Sequence, residues 1–148
     1  MKFIQENNPK VFIDSNIWLY RFLSDQDSNP QEDARKRKIA IELTNLSTIF
    51  VSTQVINEVC FVLKRKALFS ELQIYQLIEE FEIRCIVIDI TTSIIKKASQ
   101  LRNEYSLSFW DGLIVSSALA ANVNIIYSED MQDGLIVDEK LTIINPFK

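Results

Sequence analysis

Asp14, Glu58, Asp111 and Asp130 are the residues whose type and placement could do chemistry in this 148-residue chain. Asp14 ends the apolar run Val11–Ile13, and Asp130 lies three residues past the β-rich run 124–127. Asp111 opens an apolar helix, while Glu58 sits beside the apolar stripe of another. The chain has no histidine, which excludes His-dependent triads, His-based general acid/base catalysis and HExxH zinc sites. Its two glycines, Gly112 and Gly134, cannot build a Walker loop or a GxGxxG turn. Carboxylates working without histidine point to Mg²⁺ or Mn²⁺, hard ions that take oxygen ligands. Cys60 and Cys85 show neither close pairing nor metal-ligand spacing, and read as buried reduced thiols.

Several elements must bring these acids together. Short apolar runs at Val11–Ile13, Ile49–Ser52, 85–90, 124–127 and Leu141–Ile144 read as strands, with residues 135–137 a partly extended loop. Between them the sequence predicts helices at Ser15–Phe22, from Pro30, 53–66, 70–81, 92–104 and 111–121. Pro30 suits a first helical position, Ser52 or Thr53 a cap, and Ser70 with Gln73 a capping box. Strands alternating with helices mean a parallel sheet covered on both faces, an α/β fold with α/β/α layers. The length suits a single domain over residues 1–148, able to bury about 70% of its unfolded surface. The start, MKFIQENNPK, lacks the apolar stretch of a secretory leader, and no run is long enough to cross a membrane; the expectation is a soluble, cytoplasmic protein.

In such sheets ligands bind beyond the carboxyl ends of the strands, where strand order reverses. If the first and fourth strands meet there, Asp14 and Asp130 meet too, Asp111 joins from its helix start and Glu58 reaches in from the helix after the second strand. Gathered carboxylates repel, so without metal some should have raised pKa values. The formal charge of −4 argues against a phosphate-rich partner, but setting these four acids aside leaves sixteen, equal to the sixteen Lys and Arg. Each acid also has a local reading: Asp14 as a helix cap, Asp111 as a dipole partner, Glu58 as a surface acid, Asp130 as turn chemistry. The run Arg35 to Lys38 reads as a solvated face, and Trp18, Phe22, Phe61 and Phe69 as core, with a partner groove as the second reading.

Taken in order, VFIDSNIWLY, STQVINEVCFVL, SFWDGLIVSSALAA and IIYSEDMQDG, followed by INPF, resemble the PIN-domain family over nearly the whole chain, particularly the VapC-type ribonuclease toxins of toxin-antitoxin pairs. The resemblance implies a five-stranded parallel sheet of order 3-2-1-4-5. Asp14, Glu58, Asp111 and Asp130 would form the catalytic metal site, with Ser15, Asn16 and Ser128 in support. Asp133 and Glu129 are further acids beside the fourth position. It also implies Mg²⁺- or Mn²⁺-dependent cleavage of RNA leaving a 5′-phosphate and a 3′-hydroxyl, a homodimer, and a cognate antitoxin covering the cleft. Two other classes remain open: a binding domain for RNA or protein that has lost its chemistry, and an aspartyl phosphotransferase using Asp14 as nucleophile, weakened because residue 16 is Asn.

Overall fold

The computed structural model describes residues 9–148, so the reading of the N-terminal leader falls almost entirely outside it. Six strands form one sheet: β1 Val11–Ile13, β2 Ile49–Ser52, β3 Ile86–Ile88, β4 Ile125–Tyr127, β5 Ile136–Val137 and β6 Leu141–Ile144. Their order is β3-β2-β1-β4-β6-β5. All neighbours are parallel except β5 with β6. Six helices, α1 Ser15–Phe22, α2 Pro30–Leu43, α3 Thr53–Lys66, α4 Glu71–Arg84, α5 Thr92–Glu104 and α6 Phe109–Ala120, complete an α/β fold with the expected layers.

The expected five strands and their order are present, and the sheet gains one edge strand. Residues 136–137 pair antiparallel with β6, with Val137 buried and Ile136 exposed. Two residues are too few for periodicity to declare a strand. The strand expected at 85–90 shrinks to Ile86–Ile88 because α4 runs on to Arg84, where Cys85 turns extended and its N–H bonds Phe81 O at 2.9 Å.

Local chemistry starts each helix where the site needs it. Asp14 is the N-cap of α1, accepting from Ser15 N–H. Ser52 caps α3 through Val55 N–H, and Ser70 with Gln73 forms the capping box of α4. At α6 the cap is Ser108, whose hydroxyl accepts from Asp111 N–H, so the Asp111 carboxylate is not spent on capping. The core runs along the central strands, with Val11, Phe12, Ile13, Val51, Ile126 and Ile143 fully buried. Trp18 joins it, packing edge-on against Phe81 and donating from Nε1 to Ile13 O at 3.2 Å. Phe61 does not: it is 63% exposed, with the Arg65 guanidinium over its ring. Among the described residues, no helix is long and apolar enough to cross a membrane.

Candidate active site

The central pairing of the sheet decides where the acids lie. β1 and β4 are parallel neighbours in register from Val11 opposite Ile125 to Ile13 opposite Tyr127, and β1 is where strand order reverses, with β2 on its other side. The ladder extends one step past the strands: Asp14 N–H bonds Tyr127 O and Ser128 N–H bonds Ile144 O, both at 3.0 Å. Asp14 and Ser128 therefore leave adjacent strands side by side, at the switch point where such sheets bind ligands.

Asp14 is the buried centre of this edge, 5% exposed. Its Oδ1 accepts from Ser15 N–H at 2.7 Å, and its Oδ2 from the Ser128 hydroxyl at 2.8 Å and Asn16 Nδ2 at 3.3 Å. The same Asn16 amide donates to Asp130 Oδ2 at 3.2 Å and contacts Ser128 Oγ at 3.4 Å. One side chain thus ties the first and fourth acids together. Ser15 and Asn16 follow from α1 starting immediately after β1.

Electrostatics links all four acids. Burial pushes the Asp14 carboxyl up to about 6, against the hydrogen bonds from Ser128 and Ser15, and the charges of Asp111 and Asp130 push it the same way. Glu58, half-buried on α3, is pushed up to about 7 by burial and then by Asp14 and Asp111, while a hydrogen bond with Gln54 resists. No cation is among the causes acting on the raised Asp14 and Glu58 carboxyls, and a positive charge beside them would favour their ionised form. The donors are all oxygen, and such a set fits a hard divalent cation. Among the described residues no group of three or more acids already stands arranged to hold an ion. The Asn16 amide occupies the position between Asp14 and Asp130, and Coulomb coupling reaches farther than ligand distance.

The other two loop acids point elsewhere. Glu129 accepts from Tyr20 Oη at 3.0 Å and Lys36 Nζ at 2.6 Å, and Asp133 Oδ1 accepts from Asn145 N–H at 2.8 Å. The Glu129 N–H in turn donates to Asn16 Oδ1 at 3.1 Å. This makes a continuous brace from α2 to the site: Lys36 to Glu129 to Asn16 to Asp14 and Asp130. The C-terminal segment seals it, with Phe147 edge-on to Tyr20, its carbonyl held by Arg35 at 2.8 Å, and Asn145 Nδ2 on Glu129 O.

The run Arg35 to Lys38 is accordingly not simply a solvated face. Arg35 pairs with Glu32, Lys36 with Asp27 and Glu129, and Arg37 with Asp33. The i,i+3 and i,i+4 spacings from Glu32 and Asp33 were a readable signal for Arg35 and Arg37; Glu129 lies ninety-three residues from Lys36, and nothing local announces that contact. Lys36→Met should lower activity at this site roughly tenfold, the scale seen when an outer support of a catalytic group is lost, and saturating divalent cation should restore part of it. Activity unchanged in Lys36→Met would mean that the brace does not hold Asp130.

Comparison with known proteins gives a consistent frame. Residues 11–132 match the family described as PIN domain, a span that includes all four acids. No curated protein sequence matches the chain. Among solved structures, a chain of a toxin-antitoxin complex from Klebsiella pneumoniae is 19% identical with TM-score 0.64, the match covering 93% of this chain and 98% of that one. The Mycobacterium tuberculosis toxin VapC20, described as cleaving the Sarcin-Ricin loop, is 15% identical with TM-score 0.60, covering 82% and 90%. VapBC2 from Rickettsia felis, solved on a DNA fragment from its promoter, is 20% identical with TM-score 0.52, covering 81% and 87%.

Proposed function

This chain belongs to the PIN-domain family, and from that premise we propose that it is a Mg²⁺- or Mn²⁺-dependent endoribonuclease acting as the toxin of a type II toxin-antitoxin pair. The observation that carries the proposal is the coupling of Asp14, Glu58, Asp111 and Asp130 across the β1/β4 switch point.

Asp14, Glu58, Asp111 and Asp130 would hold the cation. When bound, it would lower the pKa of a water and stabilise charge on the phosphate and the departing 3′-oxygen. The chain's own residues supply position. Ser15 N–H and the Ser128 hydroxyl fix the Asp14 carboxylate on both oxygens, so little freedom remains to be lost when ligand binds. Asn16 sets the distance between Asp14 and Asp130. Asp111, free of capping duty at the start of α6, is near enough for its charge to act on Asp14 and Glu58.

A partner antitoxin has support of its own. A cavity of about 100 Å³ lies between α1 and α4, lined by Trp18, Phe22, Leu77, Phe81 and Cys85 with Arg21, Glu80 and Arg84 at its rim, room for a single apolar side chain of a partner. The solved relatives include toxin-antitoxin complexes, in keeping with a chain of this fold having such a partner.

The test is cleavage of RNA with Mn²⁺ or Mg²⁺, with EDTA, and with Asp111→Asn. Cleavage that needs the metal and is lost in the variant supports the proposal, and cleavage indifferent to both rejects it. A second reading, RNA binding without turnover, draws on the absence among the described residues of a ready-made ion-holding group. Binding with no cleavage under any divalent ion would favour it.

A further inference from the structure

We propose that Trp110, backed by Phe109, forms a stacking platform for an unpaired nucleobase of the substrate strand, beside the phosphate on which the acids act. The inference rests on the endoribonuclease reading and names what that site requires of its RNA. The chain has two tryptophans. Trp18 is 4% exposed in the core, whereas Trp110 is 55% exposed and its neighbour Phe109 59%. Both stand in the first turn of α6, directly before Asp111, whose charge reaches Asp14 and Glu58. Helical residues step about 100° around the axis, so Trp110 stands next to the side on which Asp111 meets the other acids, and Phe109, about 200° from Asp111, backs it on the side packed against Arg102.

The platform is built rather than loose. The two rings meet edge to face, 5.2 Å between centroids at 78°. The Arg102 guanidinium lies 4.2 Å from the Phe109 centroid and donates to Phe109 O at 3.1 Å. Its stem crosses α6 at Gly112, where a Cβ would stand 2.8 Å from Arg102 Cγ; the missing side chain lets the arginine lie down. Aromatic faces with a cation beside them, at the edge of a cleft full of carboxylates, match a polynucleotide, which brings bases to stack and phosphate to pair. The base must be unpaired, because a base inside a duplex has no free face to offer.

The test measures binding of a fluorescein-labelled mixed-sequence single-stranded RNA 12-mer by anisotropy in EDTA, for wild type, Trp110→Ala and Trp110→Phe, together with quenching of wild-type tryptophan emission and cleavage with Mn²⁺. Wild-type emission should be quenched by the single strand and only weakly by the same sequence as a duplex. Affinity should fall about tenfold in Trp110→Ala and less in Trp110→Phe, which keeps an aromatic face. In cleavage KM should rise by a similar factor with kcat within about twofold. Unchanged affinity and KM in Trp110→Ala overturn the platform, even where cleavage remains dependent on metal and on Asp111. A change of oligomeric mass by light scattering in Trp110→Ala also overturns it, in favour of a contact between copies. Quenching without cleavage keeps the platform and removes the endoribonuclease reading, and RNA that neither binds nor is cut removes both.

Discussion

Asp14→Asn should abolish the proposed RNA cleavage for practical purposes, lowering it by more than about a hundredfold, yet leave the metal-free protein at least as stable at neutral pH as the wild type. The substitution separates the two roles of this residue. Asn is about as good an N-cap as Asp, so the Ser15 N–H keeps its acceptor and α1 keeps its start. The negative charge is removed from a position 5% exposed, flanked by the charges of Asp111 and Asp130. A charge that burial and like neighbours both oppose is a cost to the fold. Loss of an outer support of a metal site costs tenfold to a hundredfold, and a residue proposed to touch the ion itself should exceed that. Cleavage kinetics and urea denaturation in EDTA measure the two halves. A variant with full activity and lower stability would reduce Asp14 to a cap.

The metal-free protein should lose stability as pH rises from about 4.5 to 7.5, opposite to the usual behaviour of paired carboxylates. The folded-state carboxyl of Asp14 sits near 6 against 3.8 for the free group, so in this window the native state holds a proton that the unfolded chain has released. Unfolding then releases protons, and its free energy falls as pH rises. For Asp14 alone the change is roughly 2 kcal/mol between pH 4.5 and 7.5. Glu58, pushed up from 4.5 to about 7, acts in the same direction over a slightly higher range. Asp33 and Glu32, with lowered pKa values, oppose the trend only as they protonate at lower pH. Urea midpoints in EDTA across this range measure the slope. It should flatten in Asp14→Asn, and Mn²⁺ at pH 7.5 should recover the lost stability by binding the native state. A slope that is flat or rising in the wild type would contradict the electrostatic description of the site.

How far these residues could be read from the sequence depended on whether their signals were local. The strand-end acid Asp14, the capping box at Ser70 and the apolar run of α6 are written in consecutive residues, and the structure carries each of them. The meeting of β1 and β4 needed the rule that sheets bind ligands where strand order reverses; with it, Asp14 and Ser128 fall side by side. The sequence puts Asp111 at the opening of α6, whereas the helix starts at Phe109 because Ser108 caps it, and Asp111 stands in its first turn. What sequence could not supply was tertiary. The two-residue strand β5 exists because β6 lies beside it. Lys36 is a brace because Glu129 and the terminal Phe147 fold back over Tyr20, and a basic run on a helix gives no hint of that. The exposure of Trp110 is likewise a property of the assembled fold, since α6 is apolar along almost its whole length and its first turn reads as more of the same.

The central claim is that four distant segments gather their carboxylates around a divalent cation. Titration of Mn²⁺ into the EDTA-stripped protein, followed by the electron paramagnetic resonance of the free ion, tests it without relying on any substrate. Saturable binding is expected in the wild type, weakened at least tenfold in Asp14→Asn and in Asp130→Asn, with both variants folded by circular dichroism. Equal Mn²⁺ binding by all three proteins, or none by the wild type, would contradict it.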